Sequence, residues 1–198
     1  MKGSLNIPNT LSIIRVMLVP VFVATLLFMR DVEVWGLIVP AIVYVLTGLT
    51  DMLDGKIARK YNLVTDFGKF IDPLADKFMV LSSMIAILVW MIIRGETTLA
   101  LVFVWVVLVI LLRELGVTSL RLVVAGKSGI VVAASMLGKI KTVSQMVGTV
   151  ALIIEPLIPV FAENHILSYF FMAVMAFTTI FSGIDYLKAY LPHIDSNK

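Results

Sequence analysis

At 198 residues, with 60% hydrophobic side chains, only 15% charged ones and a mean hydropathy of +1.04, the chain falls well outside the range of water-soluble domains. A spanning helix takes about 20 mostly apolar residues, so about six spans with short connections fill the length, and residues 1–198 read as a single integral-membrane domain. The net charge of +3 fits basic residues held on the cytoplasmic side better than nucleic-acid binding, and the lack of cysteine excludes disulfides, zinc–thiolate sites and iron–sulfur clusters.

Ser4-Leu5-Asn6-Ile7-Pro8-Asn9 reads as a short interfacial lead-in to the first span. The apolar run from Val16 to Met29 follows Lys2 and Arg15 as a signal peptide would. No small-x-small cleavage site comes after it, and Arg30-Asp31-Val32-Glu33 leads directly into more apolar sequence, so a retained helix is expected. Charge-poor windows predict spans over about 11–29, 35–50, 70–93, 98–120, 142–161 and 165–187, an all-α, polytopic six-helix bundle. With both termini cytoplasmic, only Arg30 and Arg94 of the 16 Lys and Arg residues fall outside, which the positive-inside rule favours. The outer loops are short and somewhat acidic, and Pro156 and Pro159 break the chain at the fifth turn. The inner segments interleave charges with Gly55, Gly68, Gly126, Gly129 and Gly138, so the chemistry is expected in a polar cavity on the cytoplasmic side of an inner membrane.

The second span runs into Asp51-Met-Leu-Asp54-Gly55-Lys-Ile-Ala58-Arg59. On a continuing helix Asp51, Asp54 and Ala58 share one face, and Gly55 and Ala58 keep that face small enough for a bulky ligand. On the third span Gly68, Asp72 and Asp76 recur every four residues. Pro73 fits there if it lies in the helix's first turn, where its missing N–H is harmless. Four carboxylates on two adjacent helices repel one another, and beside hydrocarbon each is costly to leave charged. Lys56, Arg59, Lys60, Lys69 and Lys77 are nearby, but hard divalent cations, Mg2+ or Mn2+, compensate better than lysines placed for lipid headgroups. Two such ions about 3.5–4 Å apart are a known arrangement for in-line displacement at phosphorus. In a site of that kind three aspartates hold metal, and a fourth, here Asp76, takes the proton of an attacking hydroxyl.

Asp51-x-x-Asp54-Gly55-x-x-Ala58-Arg59-x(8)-Gly68-x(3)-Asp72-x(3)-Asp76, eight fixed positions over 26 residues, resembles the signature of the CDP-alcohol phosphatidyltransferases. The resemblance implies a six-helix membrane enzyme, commonly a homodimer. It also implies Asp51, Asp54, Asp72 and Asp76 around two metal ions, Asp76 as base, and Asp51, Gly55, Arg59 and Thr65 contacting a CDP-diacylglycerol donor. Asn6-Ile-Pro8-Asn9-Thr10 with Arg15, Arg113-Glu114-Leu-Gly116 through Arg121, and Gly138-Lys139-Ile-Lys141-Thr142 look like the branch that makes phosphatidylglycerophosphate, which implies sn-glycerol 3-phosphate as acceptor and CMP as second product.

An acceptor carrying a phosphate dianion needs fixed cations, and Arg113, Arg121, Lys139 and Lys141, with Ser182 at the inner end of the last span, are the candidates. All but Arg121 have a plainer reading beside this one. Glu114 is an available partner for Arg113, Lys139 and Lys141 suit positive-inside anchoring, and Ser182 and Asp185 suit a polar helix end. Within the family, inositol phosphate, serine or phosphatidylglycerol are alternative acceptors. From a different class, a divalent-cation transporter would also place carboxylates in helices, but it calls for them near the bilayer middle, and the outer halves of these spans have none.

Overall fold

The computed structural model describes residues 6–61, 65–128 and 135–194, without the side chains of 52–60, 66, 69, 125, 127–128 and 192–194. The described residues are helical, with no strand among them: α1 (Ile7–Phe28), α2 (Trp35–Lys60), α3 (Asp66–Ile93), α4 (Thr97–Ser128), α5 (Met136–Ile154), a 3-10 turn (Glu155–Leu157), the single-turn α6 (Pro159–Ala162) and α7 (Ile166–Ile194). Five helices are long and apolar enough to cross a bilayer, and Trp35–Asp51 is a shorter apolar stretch. The six expected spans are therefore present as six long helices, and the protein is a multi-pass all-α membrane protein. Its surface agrees: Phe28, Trp105 and Leu112 are among many large apolar side chains left exposed, whereas Asn9, Arg15, Glu114, Lys141 and Gln145 are buried, the reverse of a water-soluble domain.

The helix ends depart from the hydropathy windows for local reasons. Asn6 caps α1 by accepting the Asn9 N–H at 3.0 Å, so Ile7, Pro8 and Asn9 of the expected lead-in belong to the first turn of the helix itself, while Ser4 and Leu5 lie outside the described residues. Thr65 caps α3 in the same way through the Gly68 N–H at 3.0 Å. That cap starts α3 at Asp66 and corrects the expectation for Pro73, which lies inside the helix rather than in its first turn. A proline there removes one i to i−4 bond, a loss that neighbouring helices make tolerable in a membrane protein. The fifth helix begins at Met136, not near 142, where the Ser135 hydroxyl accepts the Gly138 N–H at 3.1 Å. It stops at Ile154 ahead of Pro156 and Pro159, where the prolines were expected to break the chain.

The helices form two compact units, residues 1–96 with 153–163 and residues 97–152 with 164–198. In the first, α1 packs against both α2 and α3 along a seam of Asn9, Ser12, Arg15, Val19, Phe22 and Leu26. The three- and four-residue steps of that seam keep it on one helix face. Phe22 meets Tyr44 of α2 with ring centroids 5.2 Å apart. In the second unit α7 packs on α4, and Gly138 lies under the Tyr186 ring while Gly148 lies against Met175. Residue numbers rise along α5 as they fall along α7, so these two helices are antiparallel.

Candidate active site

In the first unit the polar end of the α1 seam meets the aspartate-bearing helices. Arg15, fully buried, places Nη1 2.7 Å from Asp51 Oδ1 at the end of the apolar part of α2. Ser12, also fully buried, donates its hydroxyl to Asp72 Oδ1 of α3 at 2.6 Å. Asn9 donates from Nδ2 to Thr65 Oγ1 at 2.9 Å, so the residue that caps α3 is tied to α1 as well. Gly68 lies so close to this pair that a Cβ would fall 2.8 Å from Asn9 Oδ1. Asp76 is half-buried one turn beyond Asp72.

These contacts put Asp51, Asp72 and Thr65 around one helix, α1. The sequence favours divalent cations over Lys56, Arg59, Lys60, Lys69 and Lys77 as the countercharge, and it assigns no role to Ser12 or Arg15. The missed signal was an arginine and two small polar residues on one face of an otherwise apolar span, which in a membrane helix marks an inward-facing surface. The side chains of Asp54 and Arg59, and Gly55, lie outside the described residues.

The aspartates fit a divalent cation in kind. The donors are carboxylate oxygens on neighbouring helices, the chemistry that hard ions such as Mg2+ and Mn2+ take. A carboxylate offers about four acceptor positions, so the single contacts from Ser12 and Arg15 leave Asp72 and Asp51 with capacity for a ligand. Among the described residues no three acidic or histidine side chains stand close enough to hold an ion by themselves, and Asp54 is not among those residues.

In the second unit four of the five proposed acceptor residues come together, three of them through direct polar contacts. Arg113 of α4 places Nη1 3.1 Å from Glu114 Oε1 and donates from Nη2 to Ser182 Oγ of α7 at 2.7 Å. Lys141 of α5 donates to the same Glu114 Oε1. Glu114, Lys141 and Ser182 are buried, and the side chain of Arg113 is nearly so. Arg121 joins them from the exposed side of α4, its guanidinium 5.8 Å from the centre of the Tyr186 ring, which Arg113 also faces at 5.1 Å. Lys139 is not part of the group. It is exposed, and two residues from Lys141 places it about 200° around the helix. The alternative partner considered for Arg113 is therefore real, but Glu114 bridges Arg113 and Lys141 rather than serving Arg113 alone.

Comparison with known proteins agrees with the signature. The family model of the CDP-alcohol phosphatidyltransferases matches residues 5–182. A Bacillus subtilis (strain 168) protein named CDP-diacylglycerol--glycerol-3-phosphate 3-phosphatidyltransferase is 40% identical over 192 residues, covering 92% of this chain and 94% of the relative. Proteins of the same name from Escherichia coli (strain K12) and Pseudomonas fluorescens are 34% and 32% identical, over 93% and 98% of this chain and 94% of each relative.

Proposed function

We propose the following reaction for this chain, which belongs to the CDP-alcohol phosphatidyltransferase family: transfer of the phosphatidyl group of CDP-diacylglycerol to sn-glycerol 3-phosphate, giving phosphatidylglycerophosphate and CMP. The names of relatives that align over nearly the whole chain support the acceptor. The observation in this molecule that carries it is the Arg113–Glu114–Lys141 cluster. Two buried cations share one carboxylate there, so the group holds a net positive charge within a membrane helix bundle, where an unbalanced charge is costly. The phosphate of the acceptor neutralises it, with Ser182 and Arg121 as further donors and Lys139 contributing at most long-range attraction.

The family works with divalent metal ions. Here Asp51, Asp54, Asp72 and Asp76 would hold two, Mg2+ or Mn2+, whose positive charge offsets the negative charge of the donor's diphosphate. Asp51, Gly55, Arg59 and Thr65 contact that donor. Asp76 accepts the proton of the 1-hydroxyl of glycerol 3-phosphate. The hydroxyl oxygen bonds to the phosphorus that carries diacylglycerol, the bond from that phosphorus to the bridging oxygen breaks, and CMP departs with the electron pair. The diacylglycerol tails stay among the helices, which accounts for a polar reaction carried out by a chain made of spans. The bias of Lys and Arg supports a reading with both termini and the site on the cytoplasmic side of the inner membrane, and we read the working unit as a homodimer.

The test is an assay of purified protein with CDP-diacylglycerol and a panel of acceptors, following CMP release with and without Mg2+ or Mn2+. CMP should appear with glycerol 3-phosphate and metal together, and vanish on chelation. Turnover with serine, inositol phosphate or phosphatidylglycerol in its place would overturn the acceptor assignment. Metal uptake into vesicles without CMP release would point to a transporter.

A further inference from the structure

We propose that Ser12 and Arg15 of α1 are positioning residues for the metal site, each fixing one ligand carboxylate in place before the ion arrives. The proposal rests on the reading of Asp51 and Asp72 as metal ligands. The seam of α1 is divided: Val19, Phe22 and Leu26 pack as an apolar surface, whereas Asn9, Ser12 and Arg15, equally buried, are polar. Burying a guanidinium in a spanning helix is unfavourable unless it is paired, and Arg15 pairs with Asp51 at 2.7 Å. The acceptors in reach of the single Ser12 hydroxyl proton include Pro8 O at 3.1 Å and Asp72 Oδ1 at 2.6 Å. The shorter distance lies in the range of hydrogen bonds to charged oxygen, so the proton belongs to Asp72.

Both contacts act on side chains from helices other than α1, and both take Oδ1 of the carboxylate. Asp72, held by the Ser12 hydrogen bond, and Asp51, held by its ion pair with Arg15, each keep acceptor positions for an ion. Arg15 also supplies positive charge that reduces the repulsion between the aspartates while no ion is bound. Outer partners of metal ligands typically change affinity by about 10–100-fold when removed, and that is the size of effect expected here.

The experiment measures Mn2+ binding to the purified full-length protein from the electron paramagnetic resonance signal of free Mn2+, beside the Mn2+ dependence of CMP release. Ser12→Ala should weaken Mn2+ binding by roughly 10-fold or more and shift the activation curve to higher Mn2+, with a smaller change at saturating metal. Ser12→Thr, which restores the hydroxyl, should recover most of the affinity. Arg15→Lys keeps the charge but not the reach or the planar fork, and it should weaken binding in the same direction. Unchanged Mn2+ affinity in folded Ser12→Ala and Arg15→Lys proteins would overturn the proposal while leaving the metal site itself intact. A wild-type protein that binds no Mn2+ would defeat both.

Discussion

Glu114 accepts a hydrogen bond from the Lys141 ammonium across 27 residues of sequence, and the same Oε1 atom holds Arg113 Nη1 at 3.1 Å. One carboxylate thus fixes the N-terminal part of α5 against α4. Removing a single partner from a buried ion pair leaves an uncompensated charge and typically costs about 3–5 kcal/mol. Glu114→Ala leaves two cations facing each other and should lower stability by an amount in that range, read as a fall in the unfolding temperature in detergent. Glu114→Leu combined with Lys141→Met should regain part of the loss, because Arg113 alone is then left without its carboxylate. If the single variant unfolds at the wild-type temperature, the cluster has no structural weight.

Asp76 is half-buried one turn past Asp72 and is assigned the proton-accepting role. An amide keeps the shape of the carboxylate but does not take the proton. Asp76→Asn should therefore cut turnover by roughly 10²–10⁴-fold. Metal-dependent binding of CDP-diacylglycerol should remain measurable, through Asp51, Asp54 and Asp72. A variant that releases CMP at the wild-type rate would remove Asp76 from that role.

The number of spans and their approximate positions were legible because a bilayer demands long apolar windows, and little else in a sequence produces them. The helix ends were less so. Arg121, Lys139 and Lys141 lower the hydropathy of their windows, yet the helices run through all three positions. Side-chain pairing was hardest to read. Arg113 with Glu114 was visible as neighbours in sequence, but Lys141 with Glu114 and Arg15 with Asp51 bring together positions whose partnership no periodicity encodes. The spacing of Asn9, Ser12 and Arg15 on one helix face was there to be read, and it marks an inward surface without naming what it touches.

Gly68 illustrates a signature position explained by packing. A Cβ there would come within 2.8 Å of Asn9 Oδ1 and 3.3 Å of Thr65 Oγ1. Asn9 is a short side chain, almost wholly buried, with little room to retreat. Gly68→Ala should push Asn9 from Thr65, loosen the α3 cap and cost about 1–3 kcal/mol, the usual range for overpacking. Loss of activity should accompany the loss of stability. Wild-type thermal stability with activity lost would instead mark Gly68 as a contact surface for substrate.

Thr149 presents the opposite case, a polar atom with no visible return. It lies on the same face of α5 as Lys141 and Gln145, at four-residue steps, fully buried, and its Oγ1 has no hydrogen-bond partner among the described residues. Gln145 donates to Thr179 Oγ1 at 3.2 Å while its own Oε1 is likewise unmatched. A buried hydroxyl without a partner costs about 1–3 kcal/mol relative to an apolar group of the same shape. Thr149→Val removes the hydroxyl and keeps the branched outline, so it should be neutral or stabilising, by up to about 1–2 kcal/mol, in thermal unfolding. Clear destabilisation by this substitution would mean that the hydroxyl is satisfied in the membrane-embedded protein, and that the polar face of α5 extends as a hydrated or ligand-bearing surface beyond Lys141.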